Sequence, residues 1–459
     1  MMELKCPPSG SSRPMTFDFF EGPAGSGKTF NMVAHARQLV ENDALDEGQR
    51  MLALTFMNGA RRRLTESLNA ESSFRRKFDC LTFDSFAQKL VKRRSTKLTD
   101  EMRQQAEALG QFHGPCFLAG ELLKDAEVSR WVARTYPLVL VDEAQDLDVH
   151  RQGIILGLKE CCTTVVAADS FQCLSDGQET VNFIDQLNSA GTTHSLTQCH
   201  RTNKGGLLAA ALAVRKGENI LDVLNKQTIG KNGNVHWIGE GIELSWVPAN
   251  ARNPGLLAWT IAFQLSRGTD DVAILTPDAR SIIIRNGIAS VRERSWNWPR
   301  GGTFGPFSAT WEGNDNAIVD SIAESLELPA IVSYDELCGL FDKHLVNSIV
   351  KTVDRRVRRL QRVTGQNEFE KSQLETFISD AVRANERLGF KKSSKIKVMS
   401  IHGAKNREFD RVIVLWPQSV TGSDEHKRRL IYNAMTRAKN HCAIIVLGKD
   451  RLNSAPFAP

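Results

Sequence analysis

The sequence predicts an α/β fold made of two halves with parallel sheets, each interrupted by a mainly helical insertion. Three observations predict it. Short apolar runs alternate with helical segments twice, once before residue 170 and once after residue 270. A Gly-rich loop follows the first apolar run, and a pair of carboxylates ends another. Continuous apolar runs of this length are typical of strands in a parallel sheet that is covered on both faces.

The Gly-rich loop comes first along the chain and reads Gly-Pro-Ala-Gly-Ser-Gly-Lys-Thr from Gly22 to Thr29. It follows the apolar run 17–20 directly and precedes a predicted helix at 31–40, which is the context of a phosphate-binding P-loop. Its backbone N–H groups and the helix N-terminus would face the phosphates of a nucleotide. The predicted nucleotide-binding residues of this loop are Gly22, Gly25, Ser26, Gly27, Lys28 and Thr29, with Lys28 on the β- and γ-phosphates and Thr29 on Mg²⁺.

The remaining apolar runs form two sets. The first set is 51–56, 81–83, 138–141 and 164–167, and the second is 272–275, 396–399, 412–415 and 443–447. The segments between them divide the chain into four predicted parts. Residues 1–86 and 136–197 form the first α/β domain, 87–135 a short helical insertion, 198–290 and 396–459 the second α/β domain, and 291–395 a second insertion.

Paired carboxylates end the apolar run Leu138-Val139-Leu140-Val141, where Asp142 and Glu143 begin the sequence Asp-Glu-Ala-Gln-Asp. The end of a parallel strand lies at the sheet edge where a P-loop also lies. We expect Asp142 to bind Mg²⁺ and Glu143 to orient and deprotonate an attacking water. The alternative for these two carboxylates is an acidic helix cap after a buried strand.

Composition constrains the class of protein. The chain of 459 residues has 59 Lys and Arg against 53 Asp and Glu, a net charge of +6, which permits a nucleic-acid partner without demonstrating one. Nine scattered cysteines show no metal-binding spacing, which favours a reducing compartment. No stretch approaches the length of a membrane span, so we expect a cytoplasmic protein with no membrane partner.

The motifs together resemble the UvrD/Rep/PcrA group of superfamily-1 DNA helicases. Eight sequence blocks carry the resemblance, in the family's order: 22–29, 54–64, 81–86, 142–146, 168–172, 196–202, 398–410 and 432–439. They cover both halves, which the resemblance identifies as RecA-like domains, and leave out the two insertions. The resemblance implies a helicase or translocase that hydrolyses ATP with Mg²⁺ and moves 3′ to 5′ on single-stranded DNA or a tailed duplex.

The same resemblance implies individual roles. Arg201 and Arg437 would reach the γ-phosphate across the cleft, Gln172 would sense that phosphate, and His200 and Glu408 would contact the nucleotide. A groove across both halves would hold a single strand. Its implied contacts are Thr55, Phe56, Asn58, Thr82, Phe83, Ser85, Ser400 and His402. For each of these eight residues, a buried or capping role at a strand end is the alternative.

Several positions depart from the family pattern. No Gln precedes Gln38, so the glutamine that reads adenine in the family is missing and selectivity for ATP stays open. His200 stands where a tyrosine stacks on adenine. Asp84 stands where a histidine is usual and places a negative charge near the expected phosphate path. Residues 173–176 supply no aromatic side chain for stacking on DNA bases.

The insertions are short for the family and contain two notable patterns. Residues 292–311 interleave arginines with aromatics, which fits either a single-strand platform or aromatics that pin a Gly-rich loop to its domain. A probable helix carries Lys351, Arg355, Arg356, Arg358, Arg359 and Arg362, which fits a solvated face or a contact with duplex or partner. Short members of this group often act beside a nuclease, as the helicase of Gabija-type phage-defence systems does. The alternative function is therefore a nucleotide- and DNA-sensing regulatory ATPase subunit of a nuclease or phage-defence complex.

Overall fold

The structure is a computed structural model that describes most of the chain. The described residues are 15–174, 178–224, 226–229, 235–249, 255–268, 271–298, 301–312, 322–323, 325–344, 348–388 and 396–459. Among these, the side chains of 58, 178–181, 226, 229, 235, 348 and 382–388 are not described. No described helix is both long enough and apolar enough to cross a bilayer.

The first domain contains a parallel sheet whose six described strands lie in the order β3-β2-β4-β5-β1-β6. The strands are β1 Phe17–Glu21, β2 Met51–Thr55, β3 Phe78–Thr82, β4 Leu138–Val141, β5 Thr163–Ala168 and β6 Thr192–Ser195. The helices are α1 Lys28–Glu41, α2 Asn58–Ala70, α3 Phe83–Arg93, α4 Asp100–Ala108, α5 Gly110–Leu123, α6 Ala126–Thr135, α7 Val149–Lys159 and α8 Gln178–Ser189. Neighbouring residues of each strand face opposite cores, so Phe19 packs with α3, α5, α7 and α8 while Phe20 packs with α1 and α2.

The first insertion has no core of its own in the described structure. Apolar residues of α3, α5 and α6, among them Leu90, Leu122 and Val128, belong to the same core cluster as Leu52 and Val139 of the sheet. The insertion therefore thickens one helical layer of the first domain. Its helical character is as predicted, but α3 begins at Phe83, so the predicted strand at 81–83 ends one residue early.

The second domain contains a mixed sheet of eight described strands in the order β13-β16-β10-β17-β18-β9-β8-β7. The strands are β7 Lys226–Ile229, β8 Val235–Gly239, β9 Ile242–Val247, β10 Val272–Thr276, β13 Ala309–Trp311, β16 Ile396–Ser400, β17 Phe409–Trp416 and β18 Ala438–Leu447. Helices α9 Gly205–Lys216 and α15 Asp424–Met435 cover one face, and α10 Gly255–Ser266 and α11 Ile282–Glu293 cover the other. The predicted parallel strands of this domain pair as expected, and β7, β8 and β9 add an antiparallel part at one edge through short connections.

The segment before the second insertion belongs to the second domain. A short hairpin, β11 Trp296–Asn297 with β12 Thr303–Phe304, is followed by β13, which pairs with β16. Trp298 packs edge-on against Phe263 of α10 and tilts against Phe304. The aromatics at 296–311 therefore pack this loop against its own domain, as the alternative interpretation expected. This packing does not favour a single-strand platform. Arg300 lies outside the described residues.

The second insertion forms a separate helical unit with its own core. Its described elements are β14 Ile331–Ser333, α12 Tyr334–Lys343, α13 Ser348–Thr364, β15 Glu368–Glu370 and α14 Lys371–Leu388. Phe341, Val357, Phe369 and Ile378 are buried together, apart from the clusters of the two sheets. The boundary predicted at 291 therefore differs from the structure, in which the paired strand β13 keeps residues up to 311 on the second sheet.

Candidate active site

The loop from Gly22 to Gly27 joins β1 to α1 in a conformation that requires glycine. Gly25 and Gly27 have φ values of 75° and 79°, in the left-handed region. A Cβ atom at Gly25 would lie 2.6 Å from Cβ of Arg201, and one at Gly22 would lie 2.6 Å from the carbonyl oxygen of Leu196. The glycines therefore allow the loop both to curl and to approach the segment that follows β6.

The loop leaves polar groups that fit a phosphate. The Lys28 ammonium donates to the carbonyl oxygens of Gly22 at 2.9 Å and Pro23 at 3.1 Å, so it lies folded over the loop. The Ser26 hydroxyl is buried and has no hydrogen-bond partner in the described chain. Because buried hydroxyls normally have a partner, this one is suited to a bound phosphate oxygen.

Strand order brings the predicted metal ligands together. Strands β4, β5 and β1 are neighbours, so the residues after their carboxyl ends meet at one edge of the sheet. There the Thr29 hydroxyl donates to Oδ2 of Asp142 at 2.9 Å. Hydroxyl and carboxylate oxygens are the hard donors that Mg²⁺ prefers, so these two residues fit the predicted role. Since no three His, Cys, Asp or Glu side chains of the described chain are arranged around a metal, phosphate and water oxygens would complete the shell.

The two adjacent carboxyl groups differ in electrostatic environment. Burial and the charge of Glu143 raise the pKa of Asp142 to about 6. Burial also opposes ionisation of Glu143, but the charge of Lys28, a hydrogen bond from Gln145 and the charge of Arg437 outweigh it and lower the pKa of Glu143. Glu143 is thereby kept ionised as the charged member of the pair.

Side chains of the second domain complete the site from the opposite wall. Arg437 follows α15 and donates to Oε1 of Gln172 at 2.8 Å, and only 4% of Arg437 is exposed. Burial and the nearby charge of Arg201 lower the pKa of Arg437 to about 10. Arg201 lies between the domains, pairs with Glu408 at 2.9 Å and donates to the carbonyl oxygen of Thr436 at 2.8 Å. The two arginines and Gln172 therefore converge with the P-loop.

These groups line one polar cavity of about 290 Å³. Its walls contain Gly25, Gly27, Lys28, Thr29, Phe30, Arg63, Glu143, Gln172, His200, Arg201, Asn406, Glu408 and Arg437. The N–H of His200 also donates to the carbonyl oxygen of Gly25 at 2.7 Å, which fixes its backbone beside the loop. A larger groove of about 1000 Å³ lies between α5, α7 and α8, but none of the predicted nucleotide-binding residues lines it.

Comparison with known proteins locates the same two halves. Residues 19–113 match the UvrD/REP helicase N-terminal domain, and residues 395–445 match the UvrD-like helicase C-terminal domain. In these two segments the chain is similar to the UvrD/Rep-type helicases. No curated protein sequence matches the chain.

Among solved structures, the chain matches the crystal structure of Arterivirus nonstructural protein 10 (helicase). The match has 10% sequence identity and a TM-score of 0.38, and it covers 95% of this chain. The chain spans 61% of the length of that protein.

The segments predicted to contact DNA lie at strand ends of both domains, where two of them meet. The segment after β2 contacts the segment after β16, where Nδ2 of Asn406 lies 4.0 Å from Sδ of Met57. His402 is exposed, and the Ser400 hydroxyl accepts from the N–H of Gly403 at 3.1 Å. Phe56 is half-buried beneath the guanidinium of Arg151, 5.4 Å from its ring centre.

Two of the predicted DNA contacts are wrong at the level of the side chain. Phe83 is fully buried in the core of the first domain, and Thr55 is fully buried with its hydroxyl donating to the carbonyl oxygen of Met57 at 3.4 Å. Thr82 caps α3 by accepting from the N–H of Ser85 and donating to its hydroxyl, so these two residues have the capping role that was the alternative. The side chain of Asn58 lies outside the described residues.

The negative charge expected at Asp84 is compensated within the protein. The buried guanidinium of Arg151, from α7, pairs with both Asp84 and Asp148. Cys116 also donates to Oδ1 of Asp84 at 3.4 Å. Asp84 therefore joins α3, α5 and α7, and its charge does not stand alone on the expected phosphate path.

Three cavity residues were not predicted from the sequence: Phe30, Arg63 and Asn406. Phe30 has 75% of its surface exposed although it is large and apolar, and it directly follows Lys-Thr of the P-loop. Arg63 is the last of three consecutive arginines on α2. Their positions next to recognised motifs were visible, but the direction of each side chain became known only from the structure.

Proposed function

We propose that the chain is an ATP-dependent DNA translocase or helicase that moves 3′ to 5′ on single-stranded DNA and hydrolyses ATP between its two α/β domains. One observation carries this proposal: Lys28, Thr29 and Glu143 of the first domain line the same cavity as Arg201 and Arg437, which act from the facing side. This arrangement is the one that phosphoryl transfer requires.

Each catalytic group of the chain would have a separate role in ATP hydrolysis. Glu143, kept ionised, would orient a water and take its proton as the water oxygen bonds to the γ-phosphorus. The bond to the oxygen that bridges the β- and γ-phosphates breaks, and its electron pair leaves with ADP. Lys28, Arg201 and Arg437 would stabilise the charge that develops on the phosphate oxygens. Mg²⁺ held by Thr29 and Asp142 would neutralise charge on the β- and γ-phosphates.

Movement on DNA would follow from contacts that span the cleft. Lys405 of the second domain pairs with Asp146 of the first, and Arg437 holds Gln172. Because the side chains that would hold the γ-phosphate come from both domains, its departure would loosen the closed state. Phe56, Ser400 and His402 lie at the domain edges that would then move relative to each other along a strand.

The second candidate is a regulatory ATPase subunit that senses nucleotide and DNA and signals to a partner such as a nuclease. The segment after Gln172 favours it, because Cys173 and Leu174 are buried, so neither can stack on a base. A chain that grips bases weakly could close on DNA without separating a duplex.

The deciding experiment is strand displacement with ATP on duplexes that have a 3′ or a 5′ single-stranded tail. We expect separation of the 3′-tailed duplex alone, and Glu143→Gln should abolish it because the base is lost while nucleotide binding remains. If both duplexes stay intact while single strands still stimulate ATP hydrolysis, the regulatory candidate replaces the helicase. No ATP hydrolysis under any condition would contradict both.

A further inference from the structure

Arg63 occupies a position that connects the nucleotide cavity to the segment expected to touch DNA. It lies in the second turn of α2, five residues after the helix begins at Asn58. Its side chain lines the cavity together with Lys28, Glu143, Gln172 and Arg437. An arginine of the same domain as the P-loop therefore faces the place where a terminal phosphate would lie.

Arg63 has no carboxylate partner among the described residues, unlike the arginine directly before it. Arg62 pairs with Glu66 at 2.9 Å on the outer face of α2. Across the cavity, Arg201 is held by Glu408 and Arg437 by Gln172. In the part of the chain that the structure describes, no carboxylate lies within ion-pair distance of Arg63. It is thus a cation without a carboxylate partner in the wall of a cavity that would bind the phosphates of a nucleotide.

The electrostatic effect of Arg63 reaches the reacting groups. Burial raises the pKa of Glu143, whereas Lys28, a hydrogen bond from Gln145, Arg437 and Arg63 together lower it. The same positive charge, after burial and Arg201, contributes to the lowered pKa of Arg437. Both effects agree with the position of Arg63 in the wall of the same cavity.

We propose that Arg63 is a further catalytic residue of the ATPase reaction, which contacts the γ-phosphate in the transition state from the P-loop domain itself. A guanidinium offers a planar fork of donors that matches phosphate oxygens. Its role is to stabilise negative charge on these oxygens as the bond to the bridging oxygen of ADP breaks and the water oxygen bonds to phosphorus. The inference rests on the proposed function as an ATPase.

The helix also gives this residue a link to DNA. Met57, directly before α2, contacts Asn406, and Asn406 lines the same cavity. Five residues of helix span about 7.5 Å, so α2 joins the two places as a short rigid rod. A strand bound against the segment at 56–58 would move the first turn of α2 and Arg63 with it. Arg63 would therefore increase the rate of ATP hydrolysis more when DNA is bound than when it is absent.

The test compares Arg63→Ala and Arg63→Lys with Arg62→Ala, which removes the preceding arginine of the same helix, a residue that pairs with Glu66 and does not line the cavity. We expect Arg63→Ala to lower the DNA-stimulated kcat about 100-fold or more, with KM changed only a few-fold. It should also lose affinity for ADP with aluminium fluoride, a mimic of the transition state, while keeping its affinity for ADP alone. Arg63→Lys should recover part of both, and Arg62→Ala should match the wild type.

A kcat of Arg63→Ala within threefold of the wild type would overturn the inference, as would equal losses for ADP and for ADP with aluminium fluoride. Melting temperatures equal to that of Arg62→Ala would show that the fold is intact. The proposed function can be contradicted independently of this inference. A wild-type chain that binds nucleotide but separates no duplex contradicts the helicase, whereas the ATPase rates of the Arg63 variants can still be compared. A wild-type chain that binds no nucleotide overturns both.

Discussion

At the scale of single residues, Glu143 combines an uncommon backbone conformation with a fixed side chain. Its φ is 60°, a left-handed value that is rare outside glycine, asparagine and aspartate. Gln145, two residues later, donates to its carboxylate and also accepts from the N–H of Asp169 at 3.0 Å. The turn after β4 therefore aims the carboxylate into the cavity and ties it to the end of β5, where Gln172 follows.

Phe30 permits a prediction at the same scale. An aromatic side chain that is 75% exposed at the edge of a nucleotide cavity is suited to packing against a base. We expect Phe30→Ala to raise the KM for ATP about fivefold with little change in kcat, since a ring contact of this kind contributes about 1 kcal/mol.

The matched control for Phe30 is Phe112, which is 69% exposed on α5 and lies outside the cavity. Phe112→Ala should leave the steady-state ATPase parameters unchanged. If Phe30→Ala also leaves KM unchanged, the base does not lie against this side chain.

At the scale of elements, the cations of α13 form two groups, those that pair with a carboxylate and those that do not. Arg356 pairs with Asp380 at 2.7 Å, and Arg358 pairs with Asp354 at 2.7 Å. The other four cations are exposed and have no carboxylate partner among the described residues. They are Lys351, Arg355, Arg359 and Arg362, whose spacing of four, four and three residues forms one row opposite the buried valines.

This exposed row predicts contact with the phosphates of a duplex. Each phosphate contact contributes about −0.9 to the slope of log K against log salt concentration. We expect Arg355→Gln with Arg359→Gln to make that slope shallower by about 1.8 and to weaken duplex binding about tenfold at physiological salt. Fluorescence anisotropy with a labelled duplex over a salt series measures both.

Arg130→Gln with Arg134→Gln is the control for this row, because these arginines have the same spacing on α6 and are exposed without a carboxylate partner among the described residues. An equal loss of affinity in both double variants would mean that only net charge is being measured. An unchanged slope in the first would leave the row as a solvated face.

Glu243 on β9 gives a prediction on pH and stability. Burial opposes its ionisation, but the nearby ring of His441 and hydrogen bonds from Arg267 and Gln264 outweigh burial and hold its pKa far below the usual range. Because the pKa is depressed in the folded state, its stabilising contribution is present above the unfolded-state pKa of about 4.3 and is lost as the pH falls below that value.

We therefore expect Glu243→Gln to cost about 2 kcal/mol of the free energy of unfolding at pH 7, and this difference from the wild type should shrink between pH 4 and pH 3. Chemical denaturation of both proteins at several pH values measures it. A difference that stays constant down to pH 3 would show that the carboxylate does not hold its charge more strongly in the folded state.

At the scale of the whole molecule, contacts across the cleft hold the two domains together beside the cavity. Asp169 of the first domain is fully buried and pairs with Arg215 of α9 at 2.8 Å. The hydroxyl of Tyr432 accepts from the N–H of Ala24 in the P-loop at 3.0 Å, and its ring meets Phe171 edge-on. Closure therefore depends on pairs that form only when the two domains touch.

Arg215→Ala tests this dependence. The change leaves Asp169 buried without its partner in the closed state, whereas water can reach Asp169 in an open state. Removing one member of a buried pair costs about 3 kcal/mol or more, so the ratio of closed to open molecules should fall about 100-fold. Small-angle X-ray scattering should then give a larger radius of gyration than for the wild type.

The double variant Asp169→Asn with Arg215→Ala removes the stranded charge and should recover part of the closure. A radius of gyration that is the same in all three proteins would mean that other contacts, such as Lys405 with Asp146, are sufficient to hold the domains together.

The sequence alone predicted the two α/β halves, the central strands of both sheets and a set of candidate residues for the nucleotide site. It could do so because each rests on a short local pattern. Apolar runs bury strands, glycines permit the left-handed turns at Gly25 and Gly27, and carboxylates after Val141 must lie at the edge of the sheet. Neighbouring strands then brought Thr29 and Asp142 together as expected.

Only the tertiary structure decided features that depend on segments far apart in the chain. Arg151 compensates Asp84 from 67 residues away, and the first insertion shares the core of the first sheet. Burial removed Thr55 and Phe83 from the expected DNA groove, and packing left Arg63 free in the cavity. A sequence pattern fixes what a backbone segment can form, whereas the direction and the charge partner of a side chain are set by whichever distant elements pack around it.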